Sequence, residues 1–228
     1  MLEMNDCLYK KYDTIIFDLD GTLLDTIEDL ADSVNFALAS EGFSKHTLSE
    51  IQSFVGNGSA KLIERAVPDG TSEEIKEKTL ACFKRYYADN CENKTKPYEG
   101  IYDLLDRLTE KGFKIAVVSN KIDSAVCALC KRYFGTRIQF CLGDREGIKR
   151  KPAPDAVFEV IKKLSSTCES SLYVGDSDVD IQTARNAGVD CVSVTWGFRD
   201  KNFLIKSGAS LMIDKPLELL EILSPVKR

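Results

Sequence analysis

Histidine is nearly missing from this chain: His46 is the only one in 228 residues. A zinc site is therefore short of ligands, since its usual donors are imidazoles and thiolates. No window approaches the about eighteen continuous apolar residues that a membrane-spanning helix requires. The leading "MLEMNDCLYKKYD" has no apolar core of the signal-peptide kind, so a cytoplasmic protein is expected. Basic residues are in deficit, with a net charge of -5 and a pI near 5.2. That balance speaks against a nucleic-acid partner, although a local pocket field can still attract a small anion. Internal repeats and low-complexity tracts are absent.

Cysteine is not scarce, at 8 residues, but only Cys127 and Cys130 form a CxxC and no second pair stands at zinc-finger spacing. In a long chain without a secretory segment these read as buried free thiols rather than disulfides. Hydrophobic residues make up 43% and charged residues 29%, enough for a real core.

The run Thr14 to Phe17 is apolar and β-branched and is bounded by Asp18 and Gly21, which predicts a buried strand. Beyond it the pattern turns helical. "TIEDLADSVNFALASEG" places Ile27, Leu30, Ala31, Val34 and Leu38 at helical spacing and stops at Gly42. Thr47 and Glu50 form a capping-box pattern, and two further helices are predicted in "SAKLIERAV" and "TSEEIKEKTLACFKRYYADN". After Pro97, helices alternate with the apolar strands "KIAVVSN", "IQFCLG", "SLYVG" and "CVSVTWG". This alternation predicts an α/β fold, a Rossmann-like, doubly wound parallel sheet with an inserted all-helical cap domain. Residues 1–24 and 97–228 would form the core and 25–96 the cap.

In such sheets ligands bind beyond the carboxyl ends of the strands. Four polar clusters fall there: Asp18 with Asp20, Ser119 with Asn120, Lys151, and Asp176 with Asp180. Carboxylates crowded at one edge repel unless a cation sits among them, and an all-oxygen donor set selects Mg²⁺. Lysine, hydroxyl, amide and carboxylate nucleophile together suit phosphoryl transfer. An EF-hand reading of "DSDVDIQTARNA" fails, because Ile181 stands where Gly is required and Ala187 where Glu is. "GNGSA" likewise lacks the third glycine and the preceding strand of a dinucleotide fingerprint.

"DLDGT", "SN", "KPAPD" and "GDSDVD", in that order, resemble the four motifs of the haloacid dehalogenase-like hydrolase superfamily, and the match spans nearly the whole chain. The resemblance implies that Asp18 attacks phosphorus and that Asp20 serves as general acid and then general base. Ser119, helped by backbone N–H groups after Asp18, would bind the phosphoryl group, and Lys151 would hold nucleophile and phosphate together. Asp18, the backbone carbonyl of Asp20, and Asp176 would ligate Mg²⁺, with Asp180 in support. Asp20 separates this chain from the dehalogenases and phosphonate-cleaving members, which lack that aspartate. "FVGNGSAKLIERAV" and "VTWGFRD" are most similar to the phosphoglycolate phosphatase subgroup, so a small phosphorylated metabolite is the expected substrate. A mutase on sugar phosphates, a pyrophosphatase and a silent scaffold are the alternatives, and a monomer or homodimer is expected.

Gly56, Asn57 and Gly58 either reach over the substrate or form an ordinary interhelical turn. Lys61 and Arg65, at i and i+4, either meet a second anionic group or line a solvated face. Thr22 is a candidate for hydrogen bonding within the nucleophile loop, and Asp178 reads as a helix start rather than a ligand.

Overall fold

The structure is a computed structural model and describes residues 12–223. Cys7 and most of the leading segment discussed above lie outside the described residues. Among the described residues strand β1 (Thr14–Phe17) comes first, followed by a short β2 (Leu24–Asp25) and by α1 (Ile27–Ser40), α2 (Leu48–Phe54), α3 (Ser59–Ala66) and α4 (Glu73–Asn90). It returns along β3 (Lys96–Pro97), which pairs antiparallel with β2, so the chain leaves and re-enters the sheet domain through one two-stranded ribbon. The sequence pattern did not reveal this ribbon, because two residues per strand are too few to display a period.

Then follow α5 (Ile101–Glu110), β4 (Lys114–Ile122), α6 (Asp123–Phe134), β5 (Phe140–Asp144), α7 (Asp155–Lys163), β6 (Ser171–Gly175), α8 (Asp178–Ala187), β7 (Asp190–Val194), α9 (Lys201–Lys206), β8 (Met212–Ile213) and α10 (Glu218–Leu223). Six strands form one sheet in the order β5-β4-β1-β6-β7-β8, and every pairing in it is parallel. The order reverses direction beside β1, which makes the carboxyl end of β1 the topological switch point where an open sheet binds its ligand.

Alternation along the strands sorts the core into two layers. Ile15, Phe17, Ile115, Val117, Leu172 and Val174 face one side, where the cluster runs on into Leu62, Phe83 and Tyr87 of the helical block. Ile16, Ala116, Val118 and Tyr173 face the other, against Val157, Val160 and Ala184 of α7 and α8. Of the thiols expected to be buried, Cys91 and Cys130 are; Cys82, Cys141, Cys168 and Cys191 are half-buried, and Cys127 on α6 is exposed. All seven described cysteines are free.

Candidate active site

Parallel register puts the site together. Phe17 pairs with Val117 on one flank and Val174 on the other, so Asp18, Ser119 and Asp176 emerge close together at one edge. Lys151 arrives from the loop between β5 and α7 and is almost fully buried. Its ammonium donates to Asp18 Oδ1 at 2.8 Å, Asp180 Oδ1 at 2.7 Å and the Tyr173 hydroxyl at 3.1 Å. Three acceptors use its three donors. Burial works to strip the Lys151 proton, but Asp18, Asp180 and Tyr173 outweigh it and hold the ammonium well above its ordinary range.

Carboxylate oxygens of Asp18, Asp176 and Asp180 lie within 4.8 Å of one another. Burial, opposed by Lys151, pushes the Asp18 carboxyl up to about 7. Burial and the negative charges of Asp180 and Asp18 raise Asp176 well above the usual carboxylate range. When all three carboxylates are ionised, one lysine leaves the cluster with two negative charges in excess, and its donors are all hard oxygens. That charge and that donor set fit a divalent cation. Glycine lets the chain close on Asp176: a Cβ at Gly21, where φ is +87, or at Gly197 would collide with this carboxylate. Asp176 otherwise accepts from the Phe198 amide at 2.7 Å and the Thr22 hydroxyl at 3.4 Å. Thr22 therefore supports the carboxylate cluster rather than facing the cavity.

Asp180 has a second task. Its Oδ2 accepts from the Ser177 amide and hydroxyl, completing a capping box at the start of α8. The helix cap thus fixes the carboxylate that Lys151 also grips. Asp178 sits exposed in the same first turn, as a helix start and not as a ligand.

Asp20 is turned elsewhere. Both its oxygens accept from Lys121 Nζ, at 2.7 and 2.9 Å, and Oδ1 also accepts from the Thr26 hydroxyl at 2.8 Å. Its carboxylate lines the same cavity as Asp18 without joining the three-carboxylate cluster.

The cavity, about 70 Å³, is lined by Asp18, Asp20, Ser119, Asn120, Lys121 and Lys151 from the sheet edge. Leu30, Val55, Gly56, Gly58, Leu62, Phe83 and Tyr87 of the helical block close it from above. Asn120 ties the two sides together, donating to Gly56 O at 3.1 Å and Lys151 O at 3.0 Å. Asn57 and Arg65 are joined to each other, Arg65 Nη2 donating to Asn57 Oδ1 at 2.8 Å, and Arg65 also donates to Phe54 O. Lys61 is exposed and paired with Glu64 at 2.6 Å. Neither Lys61 nor Arg65 lines the cavity; Arg65 braces the glycine turn instead.

Sequence reasoning missed Lys121, Tyr87 and Arg199. Lys121 directly follows Ser119 and Asn120 at the end of an apolar strand, which was the available signal. Tyr87 and Arg199 offered none, being one aromatic in an amphipathic helix and one charge in a loop.

A family model described as haloacid dehalogenase-like hydrolase matches residues 15–194. The chain belongs to that family. More narrowly, it is 34% identical over 212 residues to phosphoglycolate phosphatase 1 of Pseudomonas aeruginosa, covering 90% of this chain and 78% of that one. It is 31% identical over 214 residues to the phosphoglycolate phosphatase of Aquifex aeolicus, covering 92% and 95%. A solved structure of a candidate phosphoglycolate phosphatase from Lactobacillus delbrueckii subsp. bulgaricus superposes with a TM-score of 0.89 at 38% identity, covering 93% of this chain and 98% of that one. Within the family, the chain groups with the phosphoglycolate phosphatase-like members.

Proposed function

We propose that the protein is a phosphatase that hydrolyses a small phosphomonoester, phosphoglycolate or a close analogue, through an aspartyl-phosphate. The relatives named above support the reaction class, and the division of labour among the carboxylates supports the mechanism. Asp18 attacks phosphorus, the P–O bond to the leaving group breaks, and Asp20 delivers a proton to the departing oxygen. Asp20 then takes a proton from water, which attacks the aspartyl-phosphate, releases inorganic phosphate and regenerates Asp18. Lys151 keeps the nucleophile oriented and offsets charge on the phosphoryl oxygens, while Ser119 offers a hydroxyl to them. Asp18 and Asp176, with the Asp20 carbonyl and with Asp180 in support, are the residues that would hold Mg²⁺. When bound, that ion supplies neutralisation of the charge gathered on the transferring group.

Residues 25–96 act as a cap in this reading. They seal the cavity from bulk water, which favours small substrates over polymers. One observation carries the proposal: a buried lysine grips two carboxylates of a cation-sized cluster while a second lysine holds a separate carboxylate facing the same cavity.

The test is phosphate release from a phosphomonoester panel, with Mg²⁺ and with chelator, for the wild type and Asp18→Asn. Release that needs both the metal and Asp18 is expected. Isomerisation of a hexose 1-phosphate without free phosphate would replace this reading with a mutase.

A further inference from the structure

The cavity above the phosphoryl site is mostly apolar, walled by Leu30, Leu62, Phe83 and Ala125. Two polar atoms interrupt that wall. The first is Lys121 Nζ, whose side chain is 5% exposed. Two of the three ammonium donors are accounted for by Asp20, and the nitrogen stands 4.7 Å from the centre of the Tyr87 ring. The second is the Tyr87 hydroxyl, which is buried beside that same ammonium and makes no hydrogen bond of normal length and angle among the described residues. An orphaned buried donor costs about 1–3 kcal/mol, so its retention beside a lysine inside a cavity points to a ligand that satisfies it.

We infer that Lys121 and Tyr87 form the subsite for an anionic group, a carboxylate, carried by the leaving part of the substrate. The inference rests on the phosphatase reading and assigns the residues that would meet the acid of a phosphoglycolate-like ester. Other cations near the cavity are committed. Lys151 is gripped by Asp18 and Asp180, Arg199 donates to carbonyls of Gln52, Ser53 and Val55, and Arg150 pairs with Asp144. Lys121 is also committed, but to Asp20, and the substrate's carboxylate can substitute for that partner as a like-charged acceptor. Exchange of one carboxylate for another at Lys121 leaves the ammonium paired throughout and frees the Asp20 side chain to turn toward the leaving oxygen. Size agrees: one water needs about 10–15 Å³ of such space, so 70 Å³ admits only a few heavy atoms.

The experiment compares kcat/KM for 2-phosphoglycolate and 2-hydroxyethyl phosphate, which differ chiefly in the carboxylate. The wild type should prefer phosphoglycolate on the order of 10²-fold, because a site built for a polar group rejects the analogue lacking it. In Lys121→Met the preference should fall to near unity even where both rates drop. Tyr87→Phe keeps the Lys121–Asp20 pair and the ring, so it tests the subsite without disturbing the fold, and it should cut the preference roughly 5- to 10-fold. Equal cleavage of both esters by the wild type, or an unchanged ratio in both variants, overturns the subsite and leaves the phosphatase standing. Release from neither ester overturns the phosphatase reading and the subsite with it.

Discussion

Asp176 and Lys151 sit at opposite poles of the same electrostatic problem. Asp176 is buried and is met by an amide and a hydroxyl rather than by a cation of the chain. Without metal its carboxyl must either carry a buried charge or take up a proton, and either costs stability at neutral pH. Asp176→Asn should therefore stabilise the chelated protein by about 1–2 kcal/mol, since removing a poorly paired buried charge is often favourable. Thermal melts decide the matter: Mg²⁺ should raise the wild-type midpoint and leave that of the variant nearly unmoved. If chelated Asp176→Asn melts below the wild type, the charge is already compensated and the cation site is misassigned. Lys151 predicts the reverse sign. Lys151→Met strands Asp18 and Asp180 together in the interior and should cost about 3–5 kcal/mol in urea titrations, with phosphate release lost as well. Asp18→Asn keeps shape and pairing, so more than about 10³-fold of turnover should vanish from a protein that still folds.

Elements expose what a sequence can and cannot announce. Helix α2 is capped by Thr47 and Glu50 as their spacing predicts, and the apolar strands of the sheet lie where their runs lie. Both signals are local, carried by residues within one turn or one strand. The four motifs were legible for the same reason: each is a short string at a strand end. Asp29 looked like an ordinary acidic residue in the first turn of α1. In the structure it is buried and accepts from the backbone amides of Lys94 and Thr95, so it anchors the chain as it returns to the sheet. Its partners lie more than sixty residues away, a distance no periodicity bridges; Lys121 and Asp20, 101 residues apart, were hidden in the same way. Asp29→Ala leaves the buried Thr95 amide and the partly buried Lys94 amide without an acceptor and should cost about 2–3 kcal/mol. Amide exchange at residues 94–96 should quicken more than at β1, and uniform acceleration across the sheet would count against the anchor.

Across the whole molecule, the helical block and the sheet are joined by a clasp that ends on the candidate cation site. Arg199, in the loop after β7, donates to Gln52 O at 2.8 Å, Val55 O at 2.6 Å and Ser53 O at 3.3 Å. These carbonyls belong to the C-terminal end of α2, where a positive charge is favoured. Gln52 returns a bond to Phe198 O at 2.9 Å, and the Phe198 amide donates to Asp176. One short loop thus reads the position of α2 and holds a carboxylate of the cluster. Loss of such charge-assisted bonds is worth about 1.5–3 kcal/mol, enough to shift an open–closed balance ten- to a hundredfold. Arg199→Ala should accordingly raise KM by roughly tenfold, through a smaller closed population, while kcat falls less. Amide exchange in residues 52–58 should rise in parallel, and excess substrate analogue should restore protection by drawing the block down again. Unchanged exchange in that segment, with KM unmoved, would mean that the cavity walls hold the block in place and that Arg199 only decorates their edge.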